Sequence, residues 1–266
     1  MPFLHIAVLA VVQGITEFLP ISSSGHLVLV PVVFGWPDQG LVMDVAVHVG
    51  TLGAVMLYFW RDVWGMFLGV LGLVRGRADP GARLAGLVIV GTVPVVLAGF
   101  ALNKLDPDGL RSVALIGWTT LGFGVLLYLA DRFGLTVRRL TDLRVSDAVV
   151  IGLAQVLALI PGTSRSGITM TAARILGVGR TEAARFSMLL SIPTILGAGM
   201  LKGAELAQSG DAALTADAMV AAGLALISAL LAIWAMMAWL KRATFTPFVI
   251  YRILLGAGLL WFAYSG

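Results

Sequence analysis

Apolar residues run along this chain in long blocks separated by short polar or charged turns. Leu84–Leu102, Ser112–Ala130 and Ala218–Leu240 each continue for 19 residues or more without Asp, Glu, Lys or Arg. That is enough helix to cross roughly 30 Å of hydrocarbon at about 1.5 Å per residue. Extending this reading predicts full crossings at 41–60, 84–103, 111–131, 181–202, 216–240 and 246–264. Two further apolar stretches, 3–34 and 148–178, are interrupted by proline and glycine followed by serines. The predicted fold is an all-α polytopic membrane protein forming one membrane domain over 1–266. It has about six transmembrane helices and two re-entrant helix-break-helix hairpins.

The interruptions recur. Gln13-Gly-Ile-Thr-Glu17-Phe-Leu-Pro20-Ile-Ser22-Ser23-Ser24-Gly25 aligns with Gln155-Val-Leu-Ala-Leu-Ile-Pro161-Gly-Thr-Ser164-Arg165-Ser166-Gly167; Gln13, Ser22, Ser24 and Gly25 return 142 positions later. Leu121-Gly-Phe-Gly returns as Leu255-Gly-Ala-Gly, 134 positions later. Two matches in the same order point to a duplication, with halves at about 1–135 and 143–266. Three crossings in each half make the halves inverted relative to one another.

The uncharged runs beside the breaks, such as Gly25–Trp36 with 12 residues and Ala148–Ile160 with 13, are too short to span. Pro20 and Pro161-Gly162 end a helix, and the serines stand where the next one is capped. Irregular backbone at membrane depth is tolerated only where protein or a wet cavity satisfies it, so the breaks are expected to wall a site.

Composition agrees with a lipid setting: 59% of the residues are apolar, 12% are charged, and mean hydropathy is +0.98. The absence of cysteine excludes disulfides and thiolate metal sites. The first apolar stretch lacks a basic leader and a small-residue cleavage site, so it is expected to be mature structure. The sequence pI near 9.8 reflects topology and not nucleic-acid binding: the loops 61–83, 131–147, 174–185 and 240–246 hold 13 Lys or Arg, against Lys104, Arg111 and Lys202 on the other face. By the positive-inside rule the first face is cytoplasmic, both termini are outside, and the two hairpins enter from opposite sides. Arg174, Arg180 and Arg185 are expected to snorkel to headgroups as anchors, and the seven tryptophans to sit at the interfaces.

Glu17 is the only charged residue among the first forty apart from Asp38, and it lies one helical turn after Gln13. A carboxylate in an apolar helix is costly and marks function, the bland alternative being a protonated Glu bonded to a neighbouring helix. Ser22, Ser23, Ser24 and His26 place hydroxyls and an imidazole at the start of a half-helix. They could supply a nucleophile and an acid or base, or be plain caps and a satisfied core histidine. Arg165 stands at the start of the other outgoing half-helix, where the dipole disfavours a cation and a bound anion would compensate. Ser164, Ser166 and Thr169 are expected to surround its guanidinium, whose planar fork suits phosphate oxygens; the alternative is an Arg165–Glu17 ion pair that joins the repeats. Asp44 and His48 could face the site or serve only as structural hydrogen-bonding groups.

These residues, together with Arg185-Phe-Ser-Met-Leu-Leu-Ser-Ile-Pro193, resemble the signature segments of the bacterial undecaprenyl pyrophosphate phosphatase family, in order and over essentially the whole chain. The resemblance implies hydrolysis of undecaprenyl pyrophosphate to undecaprenyl phosphate and inorganic phosphate, recycling a cell-wall lipid carrier, and a role in bacitracin tolerance. It implies Glu17, Ser23, His26 and Arg165 as catalytic, Ser23 as nucleophile, His26 as proton acceptor or donor, and Glu17 as orienter of His26 or metal ligand. Gln13, Ser22, Ser24, Ser164, Ser166 and Thr169 would bind the phosphates. It implies a divalent cation, Mg²⁺ or Ca²⁺, and a site in the bacterial inner membrane open to the outer side. Gln13 stands where the family takes Glu or Gln and leaves one carboxylate fewer for the metal. Partners are the lipid substrate and the bilayer; a homodimer is compatible with the sequence, which does not fix the oligomeric state. The alternative is a secondary transporter or flippase for a phosphorylated lipid or other anion, because inverted repeats with broken helices also build transporters. The Ser/His/Glu cluster favours hydrolysis, since transport needs no nucleophile.

Overall fold

The structure, a computed structural model, describes residues 2–36, 40–76, 79–105, 112–209 and 212–265. The chain forms α1 (Phe3–Thr16), α2 (Ser23–Phe34), α3 (Gly40–Tyr58), α4 (Trp60–Val74), α5 (Pro80–Leu105) and α6 (Val113–Phe133). These are followed by α7 (Val145–Val156), α8 (Arg165–Ile175), α9 (Arg180–Ser209), α10 (Ala212–Leu240) and α11 (Thr246–Ser265). The only extended pairing among the described residues is an isolated bridge between Arg138 and Val178. Pro80–Leu102, Val113–Phe133, Thr215–Leu240 and Thr246–Ser265 are long and apolar enough to cross a membrane. Their outward faces carry Leu97, Phe100, Trp118, Trp234 and Trp261, each more than half exposed. Such a surface is stable only in lipid. The protein is an all-α multi-pass membrane protein.

Both expected hairpins form: α1 and α2 flank one break, and α7 and α8 flank the other. Each incoming helix packs backbone to backbone on a crossing helix. A Cβ on Gly14 of α1 would lie 2.0 Å from Ser228 Oγ of α10, and one on Gly152 of α7 would lie 2.5 Å from the Gly91 carbonyl of α5. Such small-residue contacts supply the dispersion that holds helices together where lipid removes the hydrophobic driving force.

One expectation about the helices needs correction. The stretch 61–83, read as a loop, contains α4, which forms a bent pair with α3 at 85°. At 15 residues it is too short to cross, and its glycines lower helix propensity, which hid it from a search for spans. Trp60, Trp64 and Phe67 are exposed along it, while Gly69 abuts the backbone of Gly81 and Ala82 at the start of α5. The crossing expected at 181–202 is the front of the 30-residue α9, although side chains beyond Gly197 lie outside the described set.

The four loops assigned to one face do meet at one end of the bundle. Asp131 accepts from Arg174 Nε at 3.1 Å, Arg180 Nε at 2.7 Å and the backbone N–H of Phe245 at 3.1 Å. Arg138 pairs with Asp147, Arg83 donates to the carbonyls of Thr141 and Leu143, and Arg185 pairs with Asp62. Arg174 is therefore not a snorkelling anchor: it is 0% exposed and also binds the carbonyls of Leu135, Val178 and Gly134. Arg180 and Arg185 are likewise held by carboxylates. Of the sparse cations on the opposite face, Arg111 and the side chains of Lys104 and Lys202 lie outside the described residues, as does Asp38.

Candidate active site

The two breaks have the same backbone. Ser22 and Ser164, equivalent in the repeat, are the only non-glycine residues with positive φ among those described, at 74° and 72°. A left-handed serine costs on the order of 1–3 kcal/mol and survives only where its surroundings over-determine it. Here the kink turns each chain so that the following half-helix, starting at Ser23 or Arg165, begins at the meeting point. Ser164 caps its helix by accepting from Gly167 N at 3.1 Å. Ser22 gives its carbonyl to His26, both to the backbone N–H at 3.4 Å and to Nδ1 at 2.7 Å.

The breaks are stitched together by side chains. Arg165 Nη2 donates to Glu17 Oε1 at 2.6 Å, and Ser166 Oγ donates to the Leu19 carbonyl at 2.8 Å. Glu17 is 7% exposed. Its Oε2 accepts from Ser23 Oγ at 2.7 Å and from Gln13 Nε2 at 2.8 Å, and lies 3.6 Å from His48 Nε2. Arg165 Nη1 reaches the Ser187 carbonyl at 3.2 Å, so among the described residues two of the five guanidinium N–H groups are engaged, leaving three to donate.

This geometry reassigns several partners. Ser23 rests on Glu17, not on His26. Glu17 does not orient His26, which is held instead by Ser22 and by the hydroxyl of Tyr251, with the two rings stacked. A carbonyl only accepts, so His26 Nδ1 carries a proton and Nε2 of the neutral ring is the acceptor. The hydroxyls expected around the Arg165 guanidinium are otherwise engaged: Ser164 with Ser166, and Thr169 with Ser187 Oγ at 2.7 Å and the Arg165 carbonyl at 2.9 Å. They brace the helix start. Ser24 is exposed and 3.4 Å from Ser22 Oγ. His48, left undecided by the sequence, does face the site, with Nδ1 donating to the Asp44 carbonyl at 2.6 Å. A neutral His48 therefore turns a lone pair toward Glu17, a contact that a proton or a cation between them makes favourable.

For a divalent ion the donor set is small. Among the described residues no three His, Cys, Asp or Glu side chains cluster. Gln13 Oε1, however, is buried without a partner, on a side chain whose Nε2 is fixed by Glu17. One carboxylate and one orphan amide oxygen fit a hard cation that takes its remaining ligands from phosphate and water.

Sequence reasoning passed over Tyr251, Ser187 and Arg252. Arg252 carried a signal, being the only charge inside 246–264. Beside the site an apolar groove of about 690 Å³ runs between α1, α10 and α11, lined by Ile15, Leu19, Ile227, Leu231 and Trp239.

Fold and site together define a multi-pass membrane protein in which a hydroxyl-bearing half-helix meets a cationic one where two broken helices join. The chain matches the family described as Bacitracin resistance protein BacA over residues 6–258, and it belongs to that family. It is 55% identical over 273 residues to Undecaprenyl-diphosphatase 1 of Rhodospirillum rubrum, covering 100% of this chain and 97% of the relative. It is 55% identical over 267 residues to the undecaprenyl-diphosphatase of Ruegeria pomeroyi, covering 100% of both. With that of Hahella chejuensis it shares 51% over 265 residues, 99% of each.

Proposed function

We infer that this chain is an undecaprenyl-diphosphatase, hydrolysing undecaprenyl pyrophosphate to undecaprenyl phosphate and inorganic phosphate in the membrane. The observation that carries the reading is the joining of the two breaks by Glu17 and Arg165, with the Ser23 hydroxyl already donating to the same carboxylate. A transporter has no need of a hydroxyl activated in this way, and full-length relatives bear the hydrolase name. The pyrophosphate is held by the free N–H groups of Arg165 and by the N-terminal ends of α2 and α8. The isoprenoid tail stays apolar throughout, in lipid and along the groove that shares Leu19 with the first break.

Ser23 Oγ attacks the terminal phosphorus and gives its proton to Glu17. The bond from that phosphorus to the bridging oxygen breaks, and the oxygen leaves with its electron pair on undecaprenyl phosphate. Once the Tyr251 hydroxyl has turned away from His26 Nε2, water attacks the phosphoserine phosphorus and gives its proton to that nitrogen. The P–Oγ bond breaks, Glu17 returns its proton to Ser23 Oγ, inorganic phosphate leaves, and His26 releases its proton to solvent. Mg²⁺ or Ca²⁺, held by Glu17, Gln13 Oε1 and the substrate's own oxygens, would supply positive charge to the transferred phosphoryl group. The distribution of Lys and Arg supports an inner-membrane site open to the outer side. Phosphate release from undecaprenyl pyrophosphate by the purified protein, with and without chelator, tests the assignment; a wild type that releases none in detergent returns the transporter.

A further inference from the structure

Arg252 sits in the middle of α11 and is 0% exposed. Its Nε donates to the Thr120 carbonyl at 3.0 Å and Nη1 to that of Pro20 at 3.3 Å. Nη2 reaches the carbonyls of Thr163 at 2.9 Å, Gly162 at 3.1 Å and Thr119 at 3.5 Å. All these partners are peptide carbonyls, with no carboxylate among them. A buried cation without a counter-ion is a costly way to fill space, and an apolar side chain of the same volume packs at lower cost. What the guanidinium does that an apolar group cannot is hold both breaks at once. Pro20 lies three residues before Ser23, and Thr163 two residues before Arg165. Between each anchor and its functional residue stands a serine in the left-handed region, a conformation that needs outside bracing.

We propose that Arg252 is a positioning residue of the reaction, setting the separation and orientation of the Ser23 half-helix against the Arg165 half-helix. The Ser166 bond to Leu19 and the Glu17–Arg165 pair close the same junction from the substrate side. Arg252 closes it from behind, against the carbonyls of α6. This role rests on the phosphatase reading above. Loss of alignment by about 1 Å costs roughly a hundredfold in rate, so the effect belongs in kcat while KM stays near the wild-type value.

The test uses the full chain, which has no native cysteine. Arg252→Met and Arg252→Lys are purified beside the wild type, and kcat and KM for undecaprenyl pyrophosphate are measured with thermal melting. Folded Arg252→Met is expected to lose roughly a hundredfold in kcat with little change in KM. Arg252→Lys loses less, because one ammonium reaches only some of the carbonyls. A folded variant with wild-type kcat overturns the proposal, and so does a loss fully explained by a smaller folded fraction. Should neither variant fold, Gly124→Ala decides: its Cβ would stand 3.0 Å from Arg252 Cβ and 3.4 Å from Nε, displacing the side chain without removing its charge. It is expected to lower kcat at constant KM, and wild-type kcat there sinks the idea. A readout independent of turnover comes from spin labels at positions 34 and 175, exposed sites near the far ends of α2 and α8. Their distance distribution is expected to broaden in Arg252→Met or Gly124→Ala. An unchanged distribution overturns the positioning role, whereas an inactive wild type with the expected broadening overturns only the phosphatase reading.

Discussion

Glu17 and Arg165 stand 148 positions apart in the chain and 2.6 Å apart at the junction of the two breaks. Each charge is costly at membrane depth, and here each compensates the other. Arg165→Lys keeps the charge and loses the fork. Turnover is expected to fall roughly a hundredfold or more while melting changes little, because a point-charge ammonium cannot serve Glu17, the Ser187 carbonyl and a phosphate together. Near-normal phosphate release by a folded lysine variant reduces Arg165 to a counter-charge.

Glu17 serves as both base and metal ligand and Gln13 as ligand alone, so substitutions at the two positions separate the roles. Glu17→Gln deprives Ser23 of its anionic acceptor and leaves the Arg165 guanidinium without its counter-charge, with only the Ser187 carbonyl and a neutral amide to accept from it. Expected are a loss of about 10²–10⁴ in kcat and a destabilisation of roughly 3–5 kcal/mol. Gln13→Ala keeps the carboxylate and removes the orphan oxygen, so the midpoint of Mg²⁺ or Ca²⁺ activation is expected to move to higher concentration. A midpoint that stays put, measured by titrating metal into chelator-stripped protein, excludes Gln13 as a ligand.

Much of this arrangement was legible in the chain. Proline and glycine followed by serine at a repeated spacing located both breaks, and an unpaired Glu and Arg in apolar surroundings named the pair that joins them. Partner choice was not legible, because it depends on rotation about helix axes: Ser23 and His26 are neighbours in sequence, yet Ser23 turns to Glu17 and His26 to Tyr251. Arg252 escaped because a lone cation in an otherwise apolar helix can be dismissed as an anchor, and nothing local reveals five carbonyls from elsewhere. Arg174 misled in the same way: a basic residue near a loop reads as surface, while here it is the buried clamp on Asp131.

At the loop end, Asp147 in the first turn of α7 is held below the usual carboxylate range, chiefly by the hydrogen bond from Arg138 and against the effect of burial. A depressed folded-state value contributes stability that is present above the unfolded carboxylate range and is lost as pH falls through the folded one. Melting temperature is expected to drop as pH is lowered from about 5 toward the folded value. In Asp147→Asn this part of the drop disappears and the melting temperature at neutral pH is lower. Parallel acid profiles for both proteins contradict the assignment.

Orientation can be read by labelling. Arg75→Cys and Ser112→Cys are single, exposed positions in a chain without other thiols. An impermeant reagent applied to intact cells, or to spheroplasts where an outer membrane is present, is expected to modify position 112 at once and position 75 only after permeabilisation. The reverse pattern places the site's opening on the cytoplasmic side.

The attack itself is decided at Ser23. With Arg165 and the helix ends intact, Ser23→Ala is expected to abolish phosphate release while substrate binding is largely kept. That loss alone does not establish covalency, since a hydroxyl bonded to Glu17 could equally position water. Rapid quenching with substrate labelled on its terminal phosphate, followed by mass analysis of the peptide containing Ser22–Ser24, distinguishes the routes. Because Ser23 is activated by Glu17 whereas hydrolysis of the phosphoserine draws on His26, His26→Asn slows breakdown more than formation, and label is expected to accumulate on Ser23. If that variant turns over slowly and no label appears at any quench time, the nucleophile is water on Glu17, and Ser23 serves only to hold it.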